Sequence, residues 1–523
     1  MEGFKSLFIL GLGVILGLIV AENYMQYNGT LQIFKDDNNV KLESLINFIQ
    51  DTYVDAVDID QIVDEGIEQM LRELDPHSTY IHKTYADQVK QRMRGDFVGI
   101  GINYSIHKDT IVVINTIAGG PSSRAGIKPG DRILLVDNDT LYGVKAQDEN
   151  RISYLKGEEG SQLALQVYRP QEGIINYNIE RAVVPIASVQ ACFMIDQSTA
   201  YIRIERFSQT TYSEFMQKLE KLPKFQNIII DLRQNGGGYV KPALQIVDEF
   251  LEKGTLIMYT KDRAGDIEES IATGSSKYKG TNAYLLIDEN SASASEIIAG
   301  AFQDNDRATI IGRRSFGKGL VQQFLEFQDG SSARITVSRY FTPSGRSIQR
   351  PYVKGDKKSY YEDYSERYTS GELQDSSKIK VNDSLIFKTK SGRIVYGGGG
   401  IIPDVYIERN NDSDAAILEA LIDTDAFSDF IFEELENNRK YYNSLSLDDF
   451  KALEIPDSLI VRFKKDLGVS EVNQKDTNAL LRTYVKASIA KQLYGTGAAC
   501  QMIIPIDPFV EKCQAVIIKN TRG

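Results

Sequence analysis

Twice in this chain a continuous apolar run ends at an acidic residue and passes, through small residues, into a stretch with helical spacing. That repeated pattern limits the possible folds more than any other feature. Asn227 to Leu232 leads to Val240 to Leu251, and Asn282 to Asp288 leads to Ser295 to Gln303. Short β-branched runs alternating with amphipathic stretches predict parallel strands joined by crossover helices, an α/β layer. At the first junction, Asp231-Leu232-Arg233-Gln234-Asn235 is followed by Gly236, Gly237 and Gly238; glycines there let bare backbone N–H groups approach a bound atom. At the second, Asp288-Glu289-Asn290 runs into Ser291-Ala292-Ser293-Ala294-Ser295-Glu296. A single serine at a helix start is usually a cap, but three within five residues exceed what capping needs.

A serine placed there gains from the positive end of the helix and from free N–H groups that stabilise an oxyanion during acyl transfer. It still needs a base. The only histidines are His77, His82 and His107, none in the α/β region, so a Ser-His-Asp arrangement would have to recruit one from outside it. The alternative is Lys318 in Ser315-Phe316-Gly317-Lys318-Gly319, ahead of the strand-like Val321 to Leu325. A lysine amine titrates near about 10.4 when free, and burial lowers it toward roughly 7 to 8, where the neutral form can take a serine proton. Gln322, four residues on, could hold the amine. The Gly317-Lys318-Gly319 turn lacks the GxxxxGK[ST] frame of a nucleotide-binding loop.

Composition narrows the chemistry further. The 60 Lys and Arg against 72 Asp and Glu give a net charge of −12, which supplies no broad basic field for nucleic acid. Cys192, Cys500 and Cys513 are the only cysteines, with no CxxC pair and no HExxH, so neither a built-in metal site nor a metal cofactor is expected. Cys500 and Cys513 are close enough in sequence to close a small loop; the favoured reading is two buried thiols, with Cys192 a core residue.

Around this centre, the 523 residues divide into segments. Leu7 to Ala21 is an apolar run behind Lys5, short for a membrane span, and Leu18 makes a poor cleavage signal, so residues 1–21 are expected to be an uncleaved signal anchor in preference to a cleaved peptide. Gly13 and Gly17 have GxxxG spacing, more simply read as ordinary glycine usage. Residues 22–85 hold two amphipathic helices, marked by Leu42, Leu45, Ile46 and Ile49 and by Val63, Ile67, Met70, Leu71 and Leu74, with Asp75-Pro76 as the stop. Residues 86–182 read as a small β module of short runs and turns. Residues 183–410 hold the α/β core with a polar, tyrosine-rich insertion at 352–380. From 411 to 523, Ile417, Leu418, Leu421 and Ile422, then Leu481, Val485, Ile489 and Leu493, signal a helical extension. The fold class is therefore multidomain α+β.

From about Leu74 to Asp404 the chain resembles the carboxyl-terminal processing, or tail-specific, proteases, serine peptidases with a PDZ domain and a Ser-Lys dyad. The resemblance is carried by Leu74-Asp75-Pro76-His77-Ser78, Val98-Gly99-Ile100-Gly101-Ile102, Ala125-Gly126-Ile127-Lys128-Pro129-Gly130-Asp131, the Asp231 to Gly238 turn, Ser291 to Ile297, Gly317-Lys318-Gly319-Leu320-Val321-Gln322, Thr342 to Gln349 and Gly400-Ile401-Ile402-Pro403-Asp404. It implies Ser293 as nucleophile, Lys318 as base, Gln322 as support for the lysine, and Ala294 and Gly237 as oxyanion donors. It also implies a peptide-carboxylate loop at Val98, Gly99, Ile100 and Gly101, no cofactor, and polypeptide substrates taken by an apolar C-terminus. With export, the expected place is the cell envelope, on the periplasmic side of the inner membrane. A homo-oligomer and an adaptor protein remain open as partners. Where the family usually reads Asn-Asn-Pro-Gly-Gly this chain has Gln234-Asn235-Gly236-Gly237-Gly238, and loss of the proline is expected to loosen the turn. His77 is read as structural. Two competing readings remain: a catalytically silent PDZ scaffold, and a hydrolase that uses His77 as its base.

Overall fold

The two periodic stretches near the start of the chain form the helices Asp37–Thr52 and Ile59–Arg72. The computed structural model describes residues 37–143, 152–170, 172–274, 277–410, 413–422, 424–468 and 475–522. The proposed signal anchor at 1–21 lies outside them, and none of the described helices is long and apolar enough to cross a membrane. Contacts divide the chain into a unit ending at Met70 and a second unit from Leu71 onward.

In the second unit, Asp75 ends the helical segment with a turn: its Oδ1 accepts from the amides of His77 (2.8 Å) and Ser78 (2.9 Å), and its Oδ2 from the Ser78 hydroxyl (2.6 Å). A helix that apolar periodicity did not single out, Lys83–Arg94, follows and crosses the expected boundary at 85/86. The β module is an antiparallel sheet in which Ile102–His107, Thr110–Thr116, Arg132–Val136, Gln162–Arg169 and Gly173–Glu180 lie in that order. Strand Asp96–Gly99 pairs separately with Ala182–Pro185. Ile100, Ile102, Ile111, Val113, Ile133 and Leu165 fill the module's own core.

The α/β expectation holds in the next segment. A sheet of six strands runs Val189–Met194, Thr199–Ile204, Asn227–Asp231, Asn282–Ile287, Ala308–Gly312, Val405–Tyr406, antiparallel at its first pair and parallel thereafter. All five residues of Asn227–Asp231 are buried, which is why this strand reads as an uninterrupted apolar run. One face of the sheet packs the helices Val240–Asp248 and Ala294–Asp304 through Ile228, Ile230, Leu285, Ile246 and Ile298. On the other, Ile229, Tyr284, Leu286 and Ile311 pack under Phe509, Val510, Cys513 and Ile517 of the helix Pro508–Arg522. The C-terminal extension therefore completes the core of the α/β layer as well as forming a helical body of its own around Phe450, Phe463, Leu481 and Val485. Cys192, Cys500 and Cys513 are free thiols.

The insertion carries the helix Lys357–Thr369, which buries Tyr360 and Arg367. The Arg350 guanidinium stacks between the rings of Tyr360 (4.1 Å) and Phe316 (4.6 Å), so the insertion buttresses the loop that carries Lys318.

Candidate active site

Both strand-to-helix junctions open at the same end of the parallel sheet, where such folds place their ligand sites. The glycine turn is held firmly, contrary to the expectation that the missing proline would loosen it. Gln234 donates from its backbone (3.0 Å) and its side-chain amide (2.6 Å) to Asp288, and the Asn235 amide reaches the Ile204 carbonyl at 2.9 Å. The Asn235 carbonyl accepts from Ala292 N (3.0 Å) and from the Ser295 hydroxyl (2.9 Å), and Phe207 N donates to the Gly237 carbonyl at 2.9 Å. Side-chain and backbone bonds replace the rigidity a proline ring would give.

Only glycine fits at the tightest points. Gly238 has φ +142°, and a Cβ there would lie 2.1 Å from the Phe207 carbonyl oxygen. At Gly237, φ +100°, a Cβ would come within 2.8 Å of the Ser293 Cβ and 3.1 Å of the Ala294 nitrogen. Gly237 is therefore packed directly on the serine loop. Its amide, however, donates to the Asn235 Oδ1 at 2.9 Å, so in this conformation that N–H is committed within the turn rather than offered to an oxyanion. Ala294 N, at the first position of its helix, has no carbonyl within the helix to meet.

The three serines divide by burial. Ser291 and Ser295 are fully buried and spend their hydroxyls on the glycine turn, Ser291 on the Leu232 carbonyl (2.8 Å) and Ser295 on Asn235. Ser293 is half-exposed and stands at the N-cap of Ala294–Asp304 with φ 56° and ψ −114°, a conformation that a side-chain-bearing residue adopts only when its surroundings force it.

The residue that imposes it is Glu296, which sequence reasoning did not single out. Its buried carboxylate accepts four hydrogen bonds: Oε1 from the Ser315 hydroxyl (2.5 Å) and Gly317 N (2.6 Å), Oε2 from Ser293 N (2.9 Å) and Lys318 N (2.8 Å). One oxygen thus holds the backbone nitrogens of both Ser293 and Lys318. Burial pushes the Glu296 carboxyl pKa up, and these bonds only partly offset it. The signal was present in the sequence as a serine followed three residues later by glutamate.

Lys318 Nζ donates to Gln322 Oε1 at 2.6 Å, and Gln322 Nε2 to the His77 carbonyl at 2.9 Å. Burial lowers the amine from 10.5 to about 8; Arg334 pushes the same way, while Asp75 and Glu296 oppose. His77 is itself held low, to about 3, first by burial and then by Lys318, and its Nε2 lies 3.1 Å from the Tyr360 hydroxyl. The ring is thus neutral and engaged by the insertion, while its carbonyl anchors the support of the lysine. Replacing Gln322 with Ala removes an acceptor that favours the ammonium. We expect the Lys318 amine to titrate lower in Gln322→Ala than in the parent, read from the pH dependence of its reaction with an amine-selective reagent.

Behind the glycine turn, the buried Asp231 accepts from Arg233 Nη2 and from the Tyr201 hydroxyl, each at 2.6 Å. Burial would raise its carboxyl, but Arg233 and Arg203 hold it down to about 2. Arg233 also makes a paired contact with Asp507, 3.0 and 2.7 Å, and lies over the Phe509 ring at 4.5 Å. In the β module, the carbonyls of Ile100 and Gly101 accept from the amides of Ser122 (2.9 Å) and Ile117 (3.0 Å). Their own amides meet no acceptor among the described residues, and Val98 and Gly99 sit in the paired strand before them. None of the described residues form a cluster that could hold a metal ion.

Comparison with known proteins adds three family matches. The model of peptidase family S41 matches residues 198–359, a PDZ domain model matches 98–178, and a family of unknown function matches 417–495. The carboxy-terminal processing protease CtpB of Bacillus subtilis is 31% identical over 349 residues, 65% of this chain and 71% of the relative. The protease CtpA of the same organism is 31% identical over 363 residues, 67% and 77% of the respective chains. Among solved structures, a photosystem II D1 C-terminal processing protease aligns with 24% identity and a TM-score of 0.36, covering 71% of this chain and 86% of that one.

Proposed function

We propose a mechanism from one premise: the chain belongs to peptidase family S41, as a carboxy-terminal processing serine protease with a PDZ domain. In our reading it cleaves polypeptides through a Ser293-Lys318 dyad. The neutral Lys318 amine takes the Ser293 proton as Oγ attacks the scissile carbonyl, and Ala294 N supports the oxyanion. The resulting ammonium protonates the leaving amine and, neutral again, activates the water that hydrolyses the acyl-enzyme. Gln322 keeps the amine on this path. The single observation that carries the reading is the Glu296 carboxylate, whose one oxygen accepts from Ser293 N at 2.9 Å and from Lys318 N at 2.8 Å.

Substrates are captured by an apolar C-terminus, the terminal carboxylate on the amides of Ile100 and Gly101 and the chain added as a strand beside Ile102–His107. The apolar run at Leu7 to Ala21 fits export, with the enzyme held at the envelope membrane. Exposure to a fluorophosphonate at a series of pH values, followed by peptide mass spectrometry, tests the dyad. The expected result is a single adduct on Ser293, formed at a rate that rises through about pH 8, where burial places the amine. An adduct on another serine, or a rate indifferent to pH, overturns the assignment.

A further inference from the structure

The strand Ile102–His107 is an edge: it pairs with Thr110–Thr116 on one side only. Ile102 and Ile106 turn inward to the β-module core, while Asn103, Tyr104 and Ser105 line the outer side and His107 is buried there. That face meets the C-terminal helices. His107 Nδ1 lies 2.7 Å from Asp429 Oδ1, and its ring is 4.7 Å from that of Phe432; both partners belong to the helix Asp425–Tyr442. Beside this junction a half-open cleft of about 590 Å³ separates Asn103, Ser105 and Thr116 from Phe427, Ile431, Lys491 and Tyr494. Among the described residues no Asp or Glu lines it and Lys491 is its one fully charged side chain, exposed and in no ion pair. In a chain with more acids than bases, a lone cation in a cleft without carboxylates favours an anionic visitor.

We propose that the C-terminal helices form a second wall of the peptide site. The extended C-terminus of a substrate adds to the Ile102–His107 edge, and Lys491 reads the side chains that point away from the β module, preferring an acidic one. The inference rests on the PDZ capture proposed above. Its geometry follows from strand alternation: with the last side chain turned to the same side as Ile102 and Ile106, the second and fourth from the end turn the other way, toward the cleft.

The test uses the full chain carrying Ser293→Ala and short fluorescent peptides that share an apolar last residue and differ in Glu, Gln or Lys at the second position from the end, read by anisotropy. The parent is expected to bind the Glu peptide about threefold to fivefold more tightly than the Lys peptide, the effect of a partly exposed ion pair. Lys491→Ala should level that preference and Lys491→Glu should reverse it. A parent without preference, or a preference that both variants keep, overturns the second wall while leaving capture intact. Equal binding of a peptide whose carboxylate is amidated overturns capture itself, and absence of binding by every peptide overturns both.

Discussion

Lys318→Ala is expected to lose peptidase activity on the order of 10⁴-fold, as is Ser293→Ala, and the double variant to lose no more than either alone. In the proposed dyad the two groups act as one unit and do not contribute additively, since a serine hydroxyl is a weak nucleophile until a base removes its proton. The folded state should survive, since among the described residues the half-buried Lys318 side chain makes a single hydrogen bond, to Gln322 at 2.6 Å, and the backbone bond to Glu296 remains available to alanine. Turnover of an unfolded protein substrate, with circular dichroism as the control for folding, checks this. Full turnover by Lys318→Ala would move the base to His77, a role for which its ring, made weakly basic by burial and engaged by Tyr360, is poorly suited.

Glu296→Ala is expected to damage both fold and catalysis. Its carboxylate accepts from Ser293 N, Gly317 N, Lys318 N and the Ser315 hydroxyl, and removing it leaves those donors without an acceptor. Of the four, the Ser315 and Gly317 donors are buried and those of Ser293 and Lys318 half-buried; at about 1 to 3 kcal/mol for each buried group left without a partner, stability should fall by roughly 3 to 5 kcal/mol, as when one partner of a buried charged network is deleted. Activity should fall by more than the folded fraction does, because the strained Ser293 backbone relaxes. Glu296→Gln keeps one carbonyl acceptor and should be intermediate in both. Denaturant unfolding together with the turnover rate per folded molecule separates the effects. A Glu296→Ala protein with parental turnover would show that the clamp is scaffolding only.

The parts of this site that were legible in the sequence are those encoded locally. Strand, turn and helix follow one another within about twenty residues at each junction, so the apolar runs, the glycines and the serine cluster announce themselves. The choice of Ser293 over Ser291 and Ser295 rests on the family resemblance; the difference in burial among the three serines leaves no trace in the local sequence. Glu296 was visible as a helix-capping pattern, but three of its four donors, on Ser315, Gly317 and Lys318, lie on a loop some twenty residues further on, and no local rule links them. The Lys83–Arg94 helix escaped because its apolar positions are sparse, only Ala86 being buried. The insertion read as polar surface since stacking of Arg350 on Tyr360 and Phe316 leaves no periodic trace. Gly237 was assigned by motif position, and where its N–H points is set by the Asn235 side chain, which position alone does not reveal.

The contact between Arg233 and Asp507 spans 274 residues, and that span orders events in time. A chain made from its N-terminal end has Ser293, Lys318 and its glycine turn in hand long before Asp507 exists. Until then the arginine behind the turn lacks its second carboxylate, and the face of the sheet that holds Ile229, Leu286 and Ile311 lacks its cover. Contacts of such sequence separation form late. The stretch that closes the core behind the glycine turn is thus the last to be made, and until it arrives Arg233 has only Asp231 and the sheet face stays bare.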